Sequence, residues 1–188
     1  MPARPAELRR GRIFYAVFPF ASRFPLAIED ESGVRIDVAD VESFARARRG
    51  NATRILTEAR LRPIVLLHDG TRGEHDDVVC LRVNTVKPSH RRRAATWQQI
   101  EEQRHPIFFF LPAGNRRYGL SEDSVIALTS VGSVHKSAIL GRHVGELSHH
   151  EMQIVSERLA RVLSLDLAPR IAAQAKELLR RAGLSPPG

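Results

Sequence analysis

The stretch RYGLSEDSVIALTSVGSVHKSAILGRHVGELSHHEMQIVSERLARVL, residues 117–163, decides the fold. Leu120 with Ser121, Glu122 and Asp123 reads as a turn that launches an apolar strand, SVIALTSV at 124–131. Gly141 and Gly145 flank a short strand around His143 and Val144. Ser148 and Glu151 then form a capping box, in which the Ser side chain caps a helix and the Glu reaches back. Behind them Met152, Val155, Leu159, Val162 and Leu163 recur every three or four residues, which makes one apolar stripe along that helix.

Upstream, the pattern is of short strands with turns between them. GRIFYAVFPF (11–20) has the aromatic and β-branched content of a first strand, stopped by Pro19 and later Pro25. Residues 26–28 and 34–38 suggest a hairpin turning at Glu31, Ser32 and Gly33. Asp40 reads as the N-cap of a helical stretch over 41–61, interrupted near Gly50 and Asn51. RPIVLL (62–67) and VVCLRVNTV (78–86) are strands on either side of a polar turn, and IFFFLPAG (107–114) begins another. Between the last two lies SHRRRAATWQQIEEQRHP, a basic loop and a short helix. A last helix is expected over 169–182, with Pro169 in its first turn and Gly183 just past its end. Six or more short strands favour a small barrel over a parallel α/β sheet. The expected class is therefore mainly β (α+β), one domain over 1–188.

The chain has 188 residues and a formal net charge of +8, with a sequence pI near 10.8. Arginine dominates the basic set, and its planar fork suits phosphate. Such a balance fits nucleic acid, an anionic surface or an acidic protein as partner, and it fits equally a merely basic soluble surface. The single cysteine, Cys80, has no internal disulfide partner and sits in an apolar run, which points loosely to a cytoplasmic protein. No apolar run reaches membrane-spanning length, and the charged start followed by a short aromatic stretch is not a signal peptide. No phosphate loop, nucleotide fingerprint or Cys/His metal spacing is present, and the adjacent His149 and His150 cannot share one helix face, so neither metal nor cofactor is expected.

Taken in order, these motifs resemble the MazF/PemK family of toxins. The residues that carry the likeness are Gly11-Arg12-Ile13-Phe14-Tyr15, Arg62-Pro63-Ile64-Val65-Leu66 and the strand ending in Asn84-Thr85. Tyr118-Gly119-Leu120, Asp123-Ser124-Val125-Ile126, Lys136, Gly141, Gly145, Leu147 and the closing helix follow. The resemblance spans 11–165 and implies an SH3-like small barrel of the MazF/PemK/CcdB type, with a helical insertion at about 39–61 and an appended helix at 168–183. It implies a type II toxin that cuts RNA without metal, works as a homodimer and is neutralised by a cognate antitoxin. The alternative on the same barrel is a non-catalytic relative that binds RNA or a protein target, such as a topoisomerase.

By the same resemblance Arg62 is the cation aimed at the phosphate. Thr85 is the neighbouring hydroxyl, or Asn84 if the register shifts by one; the two point to opposite faces of their strand, and alternation does not choose between them. Arg12 stands where the family has an acid, Gly132 where it has an Arg and His135 where it has an Asp. His135 becomes a candidate general acid or base, with His68 as a second, against the plainer reading of barrel-edge histidines. Arg91, Arg92 and Arg93 with Trp97 offer a basic run and a stacking ring for RNA, or else a solvated loop with Trp97 covering the barrel.

Overall fold

The computed structural model describes residues 3–19, 24–29, 32–47, 54–70, 76–165 and 181. In chain order these form β1 (Arg12–Pro19), β2 (Leu26–Glu29), β3 (Arg35–Val38), α1 (Val41–Ala47), β4 (Arg54–Leu56), β5 (Ala59–Leu66) and β6 (Asp77–Thr85). Then follow α2 (Pro88–Arg92), α3 (Ala94–Glu101), β7 (Phe108–Leu111), β8 (Ser124–His135), β9 (Gly145–Glu146) and α4 (His149–Val162). The result is a mixed α+β fold made mostly of strands. Its main sheet has six antiparallel strands in the order β7-β8-β6-β5-β1-β9, and a smaller sheet has the order β3-β2-β4.

The main sheet curls. β1 and β8 are separated by two strands in the pairing order, yet Ala16 of β1 bridges to Ile139 just beyond β8, and Leu140 N–H donates to Tyr15 O at 2.8 Å. Phe18 lies against Gly132 of β8, where an added Cβ would meet its ring at 2.6 Å. Strand alternation then gives the curl an inner and an outer face. Phe14, Ile64, Leu66, Val78 and Cys80 fill the inner one. Ile13, Val65, Leu81 and Val83 turn outward, where Met152 and Val155 of α4 cover them. Burial pushes the Cys80 thiol up to about 12, so it stays protonated and inert.

α4 is held by the capping box expected from its sequence: Glu151 N–H donates to Ser148 Oγ (3.2 Å) and Ser148 N–H to Glu151 Oε2 (2.6 Å). Tyr118 adds its hydroxyl to Glu151 Oε1 at 2.5 Å, and Arg117 lies 3.6 Å from the same carboxylate. Gly119 makes this junction possible. Its φ is +63°, and a Cβ there would stand 1.8 Å from the Val144 carbonyl oxygen.

Three expectations need correction. Of the helix expected over 41–61, Val41–Ala47 is helix, residues 48–53 lie outside the described residues, and 54–56 and 59–61 are strand. Helix-forming Leu, Glu, Ala and Arg are overridden there by pairing, of β4 with β2 (Ile55↔Ile28) and of β5 with β1 (Leu61↔Val17). The strand expected at 124–131 continues to His135, because Gly132 lets Phe18 pack across it. The short strand near His143 forms one step later, at Gly145–Glu146, opposite Arg12 and Ile13. The helix expected over 169–182 lies outside the described residues except for Arg181. Among the described residues, no helix is long and apolar enough to cross a membrane.

Candidate nucleic-acid groove

The inner face changes character along its length. On β5, Leu66 and Ile64 are fully buried, and the next residue on that face is Arg62. On β6 the series Val78, Cys80 gives way to Arg82 and Asn84. Phe14, Val78 and the N-terminal Leu8 complete the apolar stretch, whereas Arg82 and Asn84 border an open concavity. Between Leu81 and Val83 the pairing of β6 with β8 jumps from Val131 to Ile126. This irregularity brings Ser130 beside Arg82.

The uncovered end is a cavity of about 470 Å³. Arg62, Arg82, Asn84, Thr85, Lys87 and His90 supply its polar lining, with Phe108 and Val125 as an apolar wall. Among the described residues, three permanent cations and no carboxylate line it. Arg62 Nη1–H donates to Asn84 Oδ1 at 3.2 Å across the β5–β6 pair. Thr85 is exposed at the end of β6, and its hydroxyl donates to Glu122 Oε2 at 3.1 Å. Arg82 Nη2–H donates to Ser130 Oγ at 2.9 Å, with its guanidinium carbon 5.4 Å from the Phe18 ring centre. Such a pocket suits a phosphodiester: fixed positive charge, planar N–H forks and a hydroxyl within one concavity.

His90, on α2, tilts against Phe108 with ring centres 5.5 Å apart, and its buried Nδ1 has no hydrogen-bond partner among the described residues. His105 stacks on Phe108 as well, at 4.9 Å. Its pKa is lowered, first by burial and then by the nearby charges of His90 and Arg158. It is therefore held neutral at ordinary pH.

The candidate residues divide. Arg62, Asn84 and Thr85 lie together in the groove, and the choice between Asn84 and Thr85 becomes a division of labour: Asn84 meets Arg62, while Thr85 meets Glu122. His135 does not join them. It pairs with Asp77, at the far end of β6 from Thr85; the 9 residues of that strand put about 27 Å between the two ends. There His135 faces Asp76 at 4.0 Å and Ser137. His68 is also at the far end, its Nε2 accepting from Val79 N–H at 2.9 Å, which occupies the ring in holding a turn.

In the basic run, Arg91 pairs with Asp123 and lies 5.1 Å over Trp97. Trp97 is half-buried and packs edge-on to Phe110 at 5.3 Å, so it covers the sheet rather than offering an open face. Arg92 and Arg93 are exposed. Arg12, in the position of the family's acid, faces Glu146 at 3.8 Å. Sequence reasoning missed Arg82, Lys87 and His90 as groove residues. The signal for Arg82 was a charge inside the apolar run VVCLRV, two residues before Asn84 and hence on its face.

Comparison with known proteins adds an independent line. The profile of the family described as "PemK-like, MazF-like toxin of type II toxin-antitoxin system" matches residues 57–163, more than half of the chain. Curated proteins give no match. Among solved structures, a MazE–MazF complex from Deinococcus radiodurans has 12% identity and a TM-score of 0.45, covering 84% of this chain and 96% of that one. A mycobacterial endoribonuclease in complex with its cognate antitoxin has 12% identity, the same coverages and a TM-score of 0.44. The Mycobacterium tuberculosis toxin MazF-mt6 has 16% identity and a TM-score of 0.42, over 57% of this chain and 90% of that one. Identities and scores this low carry no weight for function, and the assignment rests on the profile match. That match takes in β5 with Arg62, β6 with Asn84 and Thr85, and α4 with its capping box: the chain belongs to the PemK-like, MazF-like toxins of type II toxin–antitoxin systems.

Proposed function

We propose that this toxin is a metal-independent, sequence-selective endoribonuclease whose site is the cationic end of the inner face. The observation that carries this reading is the meeting of Arg62, Asn84 and Thr85 in one groove with no carboxylate in its lining among the described residues. In the reaction, the ribose 2′ oxygen attacks phosphorus, the P–O5′ bond breaks, and a 2′,3′-cyclic phosphate and a 5′-hydroxyl result. Arg62, oriented by Asn84, stabilises the charge gathering on the phosphorane oxygens. Thr85 accepts the 2′ proton while passing its own toward Glu122. The leaving 5′ oxygen takes a proton from His90, the imidazole in the groove lining.

The partners of this reading are RNA, a cognate antitoxin and a second copy of the chain, all in the cytoplasm. Phe14, Phe109 and Phe110 are absorbed into the cores and offer no aromatic face to a second copy. The better support is the cross-strand pair Val17 and Leu61 of β1 and β5, which is exposed (48% and 53%). A defined RNA incubated with and without chelator tests the chemistry. Cleavage that persists in chelator and leaves cyclic-phosphate and 5′-hydroxyl ends is expected. Binding without cleavage would favour the non-catalytic relative, and cleavage abolished by chelator would contradict the scheme.

A further inference from the structure

Several described arginines face a carboxylate. Arg12 faces Glu146, Arg54 faces Glu29, Arg91 faces Asp123, Arg104 faces Glu102 and Arg117 faces Glu151. Arg82 is different. It is half-buried in the groove, and among the described residues no carboxylate lies within ion-pair distance of it. It meets a hydroxyl, Ser130 Oγ at 2.9 Å, and the face of the Phe18 ring at 5.4 Å. A ring face and a hydroxyl fix the direction of a guanidinium without cancelling its charge.

Both holding groups depend on local backbone. Ser130 stands beside Arg82 because the β6–β8 register jumps between Leu81 and Val83. Phe18 reaches Arg82 from β1 by crossing over Gly132, where a Cβ would come within 2.6 Å of its Cζ and 3.2 Å of its Cε2. Ile64, the register partner of Arg82, is two residues from Arg62 on the same face. Arg62 and Arg82 are thus diagonal neighbours, about 7–8 Å apart at the backbone, within joint reach of long side chains.

We propose that Arg82 is a second phosphate-binding residue, aimed into the groove by Phe18 and Ser130, so that Arg62 and Arg82 together grip the ribose–phosphate backbone of single-stranded RNA. Gly132 is a positioning residue in this arrangement, acting through Phe18. The inference rests on the RNA reading above, extending it to how the strand is held rather than how it is cut.

The test is binding of short random-sequence 2′-O-methyl oligoribonucleotides, which lack the attacking hydroxyl, followed by fluorescence anisotropy across a salt series. For wild type, log affinity falls linearly with log salt. Arg82→Ala is expected to bind about tenfold more weakly and to lose about 0.7 from that slope, the amount for one single-strand phosphate contact. Arg82→Lys should keep the slope and recover part of the affinity, because the charge stays while the fork is lost. Gly132→Ala should weaken binding several-fold by displacing Phe18; the Arg82→Lys and Arg82→Gln pair carries the test if that variant or Arg82→Ala fails to fold. Affinity and slope unchanged in Arg82→Gln, with Arg62→Ala impaired, would overturn the role of Arg82 alone. A wild-type protein that binds no oligoribonucleotide at low salt would overturn the RNA reading and this inference with it.

Discussion

The two faces of β6 differ in what they hold. Leu81 and Val83 point outward beneath α4 and are buried, as is Val65 beside them. Val78 and Cys80 begin the other face in the same way, but Arg82 and Asn84 end it in an open cationic groove. One face is apolar and buried through Leu81 and Val83 and supports the fold. The other is apolar for half its length and then breaks its own pattern, and the break is where a ligand fits. A period-2 pattern locates a strand; a change of chemistry within one face locates a site.

The largest effect is expected where α4 and its face are joined. Gly119→Ala drives a Cβ into the Val144 carbonyl and forces a residue with a side chain into φ +63°. We expect a loss on the order of 4 kcal/mol or more, seen as a failure to melt cooperatively. An ordinary melting curve within a few degrees of wild type would show that the junction relaxes, and the outer face would then be less rigid than described.

A smaller effect is expected at Tyr118. Burial and then the bond to Glu151 raise its pKa to about 12, against an ordinary value of about 10. The folded state therefore keeps a proton that the unfolded state loses. The stability it confers is complete below about pH 10 and declines as the pH rises toward 12. Glu151 moves the other way: burial alone would raise its pKa, but hydrogen bonds from Tyr118 and Ser148 and the charge of Arg117 outweigh that and hold it low. Its contribution is present above the ordinary carboxylate range and is lost as the pH falls through its lowered folded pKa. Tyr118→Phe should cost about 1.5–3 kcal/mol at neutral pH, as for a bond to a charged group, and should flatten the alkaline decline. Denaturant melts between pH 7 and 11 would read both; an unchanged alkaline slope in the variant would sever the link.

The smallest effect sharpens the comparison from the groove side. His135→Ala, at the far end of β6, should leave RNA cleavage within about twofold of wild type, since its ring meets Asp76 and Ser137 there rather than the groove. A large loss measured on a defined RNA would mean that the site is elsewhere.

Much of the fold could be read locally. The capping box is set by Ser148 and Glu151 alone, and the α4 stripe by residues within four turns of it. The hairpin of β2 and β3 turns at Gly33, whose φ is +81°. Residues 54–61 could not be read this way, because RILTEARL has helical propensity and becomes strand only against Ala27, Ile28 and Val17. In the site, Arg62 and the Asn84–Thr85 pair were legible through their neighbours in sequence. For Arg82 only the charge inside VVCLRV was local; its aim depends on Phe18, 64 positions away, and on a register jump that no short window contains. The misplacement of His135 has the same origin: only the pairing of Asp77 with His135 reveals that β8 has run to the opposite end of β6.

The central claim is that the groove end of the inner face carries the chemistry while the outer face carries the stability. Single-turnover RNA cleavage and thermal melting, measured side by side on Arg62→Ala and Leu81→Ala, test it most directly. Arg62→Ala should lower the cleavage rate by about 10²–10³-fold, as for loss of one transition-state donor, and leave the melting temperature nearly unchanged. Leu81, fully buried under α4, should cost about 2–5 kcal/mol on truncation and leave the rate per folded molecule near wild type. Cleavage that survives in Arg62→Ala at the wild-type rate, in a wild-type protein that cuts RNA, would contradict the claim.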